Sequence, residues 1–370
     1  MRDPRKYEEH GRNNPLSDEQ RREHPYDFVS LPDQRARGSV VGHDRFVPNL
    51  LSGRLTLVYE ILTPLHVGSG VFETAEQCGL HGGDQPVRGM TRRLGEPVLP
   101  GSGWKGAVRS RFEAITDSRL GALSRSYRED ASKLPAELRP AERGKFKIEV
   151  KDPRLQDLRP AETKTPHHAF SPADALFGTL GYRGRVHPGE GVIRGPKPQK
   201  PLSVPPLESP AAHRLAKPGA AHRTYNGVEI TEVEGRKFYY DGPLLESRRP
   251  PGGGEAAWEL IDAVPPEAII TIDVQLESVT EAELGALLVS AGHGEGVGIL
   301  RFGGYKPAGL GKVELKEVTA ELRHGWSNRW QRPAPEAFDP NSAVAMAHAA
   351  GLIVRSALAE LHEITTRTRP

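Results

Sequence analysis

The stretch PVLPGSGWKGAVR, from Pro97 to Arg109, holds the residues whose types and spacing point most directly to chemistry. It reads as a short apolar run, a glycine turn and a helix. Lys105, Arg109 and Glu113 recur every fourth residue, while Trp104, Ala107, Val108, Phe112 and Ile115 form an apolar face. Ser102 is placed to cap the start. A helix start offers N–H groups and the positive end of the dipole, and two cations lie beside it, which makes a site for a phosphate or another anion. Gly101, Gly103 and Gly106 also satisfy G-x-G-x-x-G. A dinucleotide site needs a second strand with an acidic residue after it, and LGALSRSYRED downstream has no strand pattern. A P-loop needs Ser or Thr after the lysine, and Gly106 stands there.

A second glycine loop runs from Gly303 to Lys312, with Gly304, Gly309 and Gly311 between. Glycines let main chain approach a ligand closely, and Lys306 and Lys312 supply charge. Tyr305 is read either as a base-stacking ring or as packing against the sheet. His66 ends a strand, where a buried hydrogen-bonded role competes with a catalytic one. Cys78 and His81 form C-x-x-H without a second ligand pair, which leaves a zinc site unsupported. Asp84 closes a Gly-Gly-Asp turn before Gln85-Pro86-Val87.

The elements that must position these residues fall in two parts of the chain. Leu55, Leu57, Tyr59 and Ile61 alternate, which predicts a half-buried strand, and Ile270, Ile272, Val274 and Leu276 repeat the pattern. Thr280 and Glu283 predict a capping box for a helix to about Ala291. Val297–Phe302, Lys312–Val318 and Arg236–Tyr240 read as strands, and Ser342–Ile364 as one helix kinked near Gly351. Assembled, these units give an α+β fold: a ferredoxin-like antiparallel sheet with helices on one face. Residues 1–24 read as a flexible arm, 25–117 and 268–320 as the core, 118–267 as a long irregular insertion, and 321–370 as a helical extension. Prolines crowd Gly195–Gly219, where no regular element is expected.

The net charge of +2 hides an uneven distribution. Six basic residues face one acid over 88–111, six face one over 194–223, and three face none over 296–313, which favours an anionic polymer as partner. No apolar run approaches the ~20 residues of a membrane span, so no membrane partner is expected. The N-terminus MRDPRKYEEH lacks the apolar stretch of a secretory signal. Cys78 is the only cysteine, which excludes an internal disulfide and fits a cytoplasmic setting.

Taken in order, TPLHVGSG at 63–70, PVLPGSGWKGAVRS at 97–110, FGTLGYRGRV at 177–186 and GGYKPAGLGKV at 303–313 resemble the RAMP superfamily, the repeat-associated subunits of CRISPR effector complexes, most closely those of type III systems. PYDFVSL at 25–31 and GRKFYY at 235–240 resemble a larger type III-associated branch. The resemblance implies an RNA-recognition-like ferredoxin fold. It also implies binding of guide RNA and, through it, target RNA, with assembly beside other RAMP subunits and the large and small subunits of a type III complex. The residues it offers for RNA are Ser102, Lys105, Arg109, Arg183, Arg185, Gly304, Tyr305, Lys306, Gly309, Gly311 and Lys312. It also places Asp84 where the RNA-cleaving subunits carry an aspartate, which implies a divalent cofactor, Mg²⁺ or Mn²⁺, and attack by a ribose 2′-OH. The turn reading of Asp84 stands beside that one. The alternatives are a structural or capping subunit that does not cut, and a stand-alone nuclease for the guide precursor with His66 as general base.

Overall fold

The alternation at Leu55, Leu57, Tyr59 and Ile61 demands one dry face, and the computed structural model buries all four in the strand Leu51–Ile61. The structure describes residues 25–44, 47–121, 126–130, 134–139, 145–207, 212–225, 227–242, 244, 259–324 and 338–368. The arm expected over 1–24 lies outside them. Ile270, Ile272, Val274 and Leu276 are buried in the strand Ile269–Val279, which pairs antiparallel with Leu51–Ile61. A third long strand, Lys312–His324, pairs on the other side.

The main sheet is antiparallel throughout. Across it the order is Leu300–Arg301, Lys312–His324, Leu51–Ile61, Ile269–Val279, Gly191–Arg194, Glu96–Leu99 and Arg92–Arg93, and Val186–Pro188 also pairs with Ile269–Val279. Two of these strands, Val186–Pro188 and Gly191–Arg194, come from the segment read as an insertion. Only Leu300–Arg301 of the strand expected at Val297–Phe302 is paired.

One face of the sheet is covered by the helix Gly101–Ile115 and the helix Glu281–Ser290. Trp104, Val108, Phe112 and Ile115 are buried, as the 3–4 spacing requires. The Thr280–Glu283 capping box forms: Thr280 Oγ1 accepts from the Glu283 N–H at 3.0 Å, and Glu283 accepts from the Thr280 N–H at 2.9 Å. Outside Glu281–Ser290 lies the helix Pro340–Ala349, which approaches so closely at Gly285 that a Cβ there would strike the Ala343 carbonyl. The tail breaks near Gly351, at φ +64°, into Pro340–Ala349 and Arg355–Thr366.

Smaller sheets flank this core. Gly68–Thr74, Pro86–Met90, Glu259–Ile261 and Leu202–Val204 form one, so the proline-rich stretch contributes a strand after all. Ser126–Asp130, Lys145–Val150, Gly227–Ile230 and Ala221–Thr224 form another over a separate cluster that includes Leu134, Ile148, Leu158 and Ile230. Gly235–Tyr239 pairs with Tyr26–Ser30. No helix among the described residues is long and apolar enough to cross a membrane.

Candidate nucleic-acid interface

The helix Gly101–Ile115 begins directly after the strand Glu96–Leu99, with Pro100 at the N-cap and no side-chain cap hydrogen bond. Ser102 therefore does not cap; it sits inside the first turn and is exposed. Gly101 is required by packing, because a Cβ would strike the main chain of Pro188 and Gly189. Gly103 and Gly106 serve differently. Both are exposed, and a Cβ at Gly106 would meet nothing within 4 Å. The first turns thus present bare main chain beside Ser102, a surface that a ligand backbone can approach.

Lys105 and Arg109 follow one turn apart. The Lys105 ammonium donates to the Val186 carbonyl at 2.8 Å. It makes no ion pair with any described residue. Burial, then the nearby Arg109 and Arg183 charges, push its pKa below the usual lysine range. A half-buried cation crowded by two others is a site short of an anion. Arg109 is spent on the fold instead. Its Nε donates to Glu113 at 2.6 Å, its Nη1 to the Gly178 carbonyl at 2.8 Å, and Asp174 lies 3.8 Å away. Glu113 also accepts from Arg236. The edge of Arg109 still lines a cleft of about 550 Å³ with Arg159, Thr179 and the exposed Leu180.

Arg183 and Arg185 part company. Arg183 is 61% exposed, and its Nη2 donates to Glu277 at 2.6 Å. Arg185 is fully buried. It donates to the Ala175 carbonyl at 3.0 Å, to the Ser278 carbonyl at 2.6 Å and to both oxygens of Glu283. It locks the capping box to the short helix Pro172–Phe177, and it is withdrawn from any RNA contact.

The second glycine loop is likewise absorbed by the core. Tyr305 is 6% exposed, its hydroxyl donates to Glu259, and its ring meets His66 edge-on at 5.6 Å. It packs and does not stack on a ligand. The Gly304 N–H donates to the His66 carbonyl at 2.9 Å, the Gly309 carbonyl accepts from Thr63 at 2.9 Å, and a Cβ on Gly311 would strike the Phe302 main chain. Lys312 pairs with Asp241. Lys306 alone in the loop keeps a half-buried ammonium, with its pKa lowered by burial and by Arg301. Strand register places this loop at the Ile61–Ile269 end of the main sheet and Arg183 beyond the Leu276 level, about 20 Å along the strand at ~3.3 Å per residue. The loop and Arg183 therefore lie towards opposite ends of the sheet.

His66 is 4% exposed and its Nδ1–H donates to the Asp262 carbonyl at 2.6 Å. Burial lowers its pKa. It is a core histidine and no general base. Cys78 is buried against Glu73 with its thiol pushed up to about 11. No group of three metal-ligating side chains comes together among the described residues. Asp84 is exposed in the turn joining Gly68–Thr74 to Pro86–Met90, after Gly82 and Gly83 at φ +142° and +57°. No described side chain joins it, so the described residues supply one carboxylate there and no preformed centre for Mg²⁺ or Mn²⁺.

Sequence reasoning missed His43, His187 and Glu277, which gather beside Arg183. They lie in three distant segments, and only His187, just after GYRGRV, carried a local signal.

The profile of the family described as "RAMPs: RAMP superfamily" matches residues 58–314. No curated protein matches. Among solved structures the chain is similar to one chain of a Type IV-B CRISPR Complex, at 14% identity over 77% of this chain and 95% of that one, with a TM-score of 0.32. It is also similar to a chain of the Type III-B Cmr-beta bound to cognate target RNA, at 12% identity over 73% of this chain and 61% of that one, again with a TM-score of 0.32. At those scores neither likeness carries an argument about activity.

Proposed function

The chain belongs to the RAMP superfamily, and we propose that it is a CRISPR-associated RNA-binding subunit that holds a guide RNA along the start of the helix Gly101–Ile115. The observation that carries this reading is Lys105, a half-buried cation without an acidic partner among the described residues, next to the bare main chain of Gly103 and Gly106. Arg183 extends the same surface. The contacts are to phosphate and main chain, so binding is indifferent to sequence, and Lys105→Ala weakens it for every RNA tested.

Four finer statements belong to this proposal. The core is ferredoxin-like: taking Val186–Arg194 as the second strand, the chain runs β-α-β-β-α-β with spatial order 4-1-3-2, and both helices on one face support that reading. Residues 118–185 and 195–267 are then excursions from that core. The partners are other RAMP subunits and the large and small subunits of a type III complex, with target RNA paired to the guide. The setting is cytoplasmic.

Cleavage of target RNA at Asp84 is the second reading. The exposed carboxylate before Pro86-Val87, which no described side chain joins, favours it. In the assembled complex, Asp84→Ala abolishes Mg²⁺-dependent cutting if the reading holds. Unchanged cutting assigns Asp84 to the turn and the chain to a structural role.

A further inference from the structure

Beside Lys105, Arg183 belongs to a cluster whose other members the RNA reading leaves unused. Arg183 comes from the hairpin Gly178–Arg183, His187 from Val186–Pro188, Glu277 from the far end of Ile269–Val279, and His43 from the N-terminal loop. All converge on one carboxylate. Glu277 Oε1 accepts from Arg183 Nη2 at 2.6 Å, and Oε2 lies 3.5 Å from His187 Nε2 and 3.9 Å from His43 Nδ1. Arg183 Nη2 also faces His187 Nε2 at 3.3 Å. His43 Nε2 lies 2.8 Å from the Arg183 carbonyl, which can only accept, so that nitrogen carries its hydrogen. The cluster is open to solvent, with His187 29% and Glu277 27% exposed. The carboxylate holds the place that a bound anion would take among a guanidinium and two imidazoles.

We infer that His187, Arg183 and Lys105 form a proton-linked subsite for one RNA phosphodiester, which takes over the partners of Glu277 as His187 gains a proton. The subsite rests on the RNA-binding reading of Lys105 and adds its regulation.

The direction of the linkage follows from the charges around the ring. Burial is the largest effect on His187 and lowers its pKa; Arg183 from the hairpin and Lys105 from the helix lower it further, and Glu277 opposes them. His43 shares the same carboxylate from the N-terminal loop. The free imidazole is therefore neutral at pH 7, with Nε2 accepting from Arg183. A phosphate between Arg183 and Lys105 offsets both cations and gives a protonated Nε2 an acceptor, so the bound pKa lies above the free one. RNA affinity then rises as pH falls through the bound value and levels off below the free value.

The test is fluorescence anisotropy of an end-labelled single-stranded RNA of about 20 nucleotides on the full chain, at about pH 5.5 and pH 8 and constant ionic strength. Wild type binds about tenfold tighter at the lower pH, the effect of about one pKa unit on a single group. His187→Gln removes most of that difference, and Glu277→Gln tightens binding at the higher pH severalfold by removing the competing anion. A His187→Gln chain with the full wild-type pH dependence overturns the subsite. So does a Glu277→Gln chain that binds more weakly, or loss of the pH dependence in His43→Gln alone. Wild-type binding that ignores pH defeats the subsite and leaves the RNA reading standing; no binding at either pH defeats both.

Discussion

Lys105 and Arg109 sit one helical turn apart and do different work. Arg109 joins Glu113, which is 2% exposed, to the Gly178 carbonyl, so removing it strands a buried carboxylate with Arg236 as its remaining partner. Breaking such a pair costs several kcal/mol, and the surviving partner softens the loss. Arg109→Ala therefore lowers unfolding free energy by about 2–3 kcal/mol in a denaturant titration. Lys105→Ala, which relieves crowding among cations, changes it by less than about 1 kcal/mol. The spacing Lys105–Arg109–Glu113 is compatible with an anion site, as read from the sequence, and equally with an i,i+4 ion pair. The structure divides them, one residue to each. At Arg183 and Arg185 an exposed cation again stands two residues from a buried one; strand alternation would put both on one face, but the strand Tyr182–Arg183 ends and the chain bends at Arg185, which turns inward.

At the scale of elements, legibility followed length and one-sidedness. Leu51–Ile61 and Ile269–Val279 each have one dry face over 11 residues, so period-two alternation exposed them. The Thr280–Glu283 box was legible because capping is local chemistry. Val186–Pro188 and Gly191–Arg194 were not, since three or four residues are too few to establish a period. The Gly303–Lys312 loop misled for a physical reason. Glycine permits close approach, and the sequence does not say to what; Gly303 and Gly311 admit this protein's own main chain at His66 and Phe302. The same ambiguity surrounds Gly285, which reads as a weak spot in a helix yet admits the Ala343 carbonyl. Gly285→Ala forces the helices Glu281–Ser290 and Pro340–Ala349 apart and costs about 1–3 kcal/mol, seen as a lowered Tm.

Over the whole molecule, charge decides where RNA can lie. The open face of the main sheet carries Arg54, Thr56, Val58, Glu60, Thr271, Asp273, Glu317, Thr319 and Glu321. Short of the end where Glu277 meets His187 and Arg183, these residues include no aromatic ring on which bases could stack, and their carboxylates repel phosphate. The basic residues gather instead at the start of the helix Gly101–Ile115, on the hairpin bearing Arg183 and around the cleft at Arg159. An overall charge of +2 conceals this division. The central claim is that Lys105 meets an RNA phosphate, and a salt titration of RNA affinity tests it most directly. For wild type, log K falls linearly with log salt. Lys105→Ala weakens binding at low salt and reduces the slope by about 0.7, the value for one phosphate contact on a single strand. An unchanged affinity and slope would contradict the account and return Lys105 to the solvent.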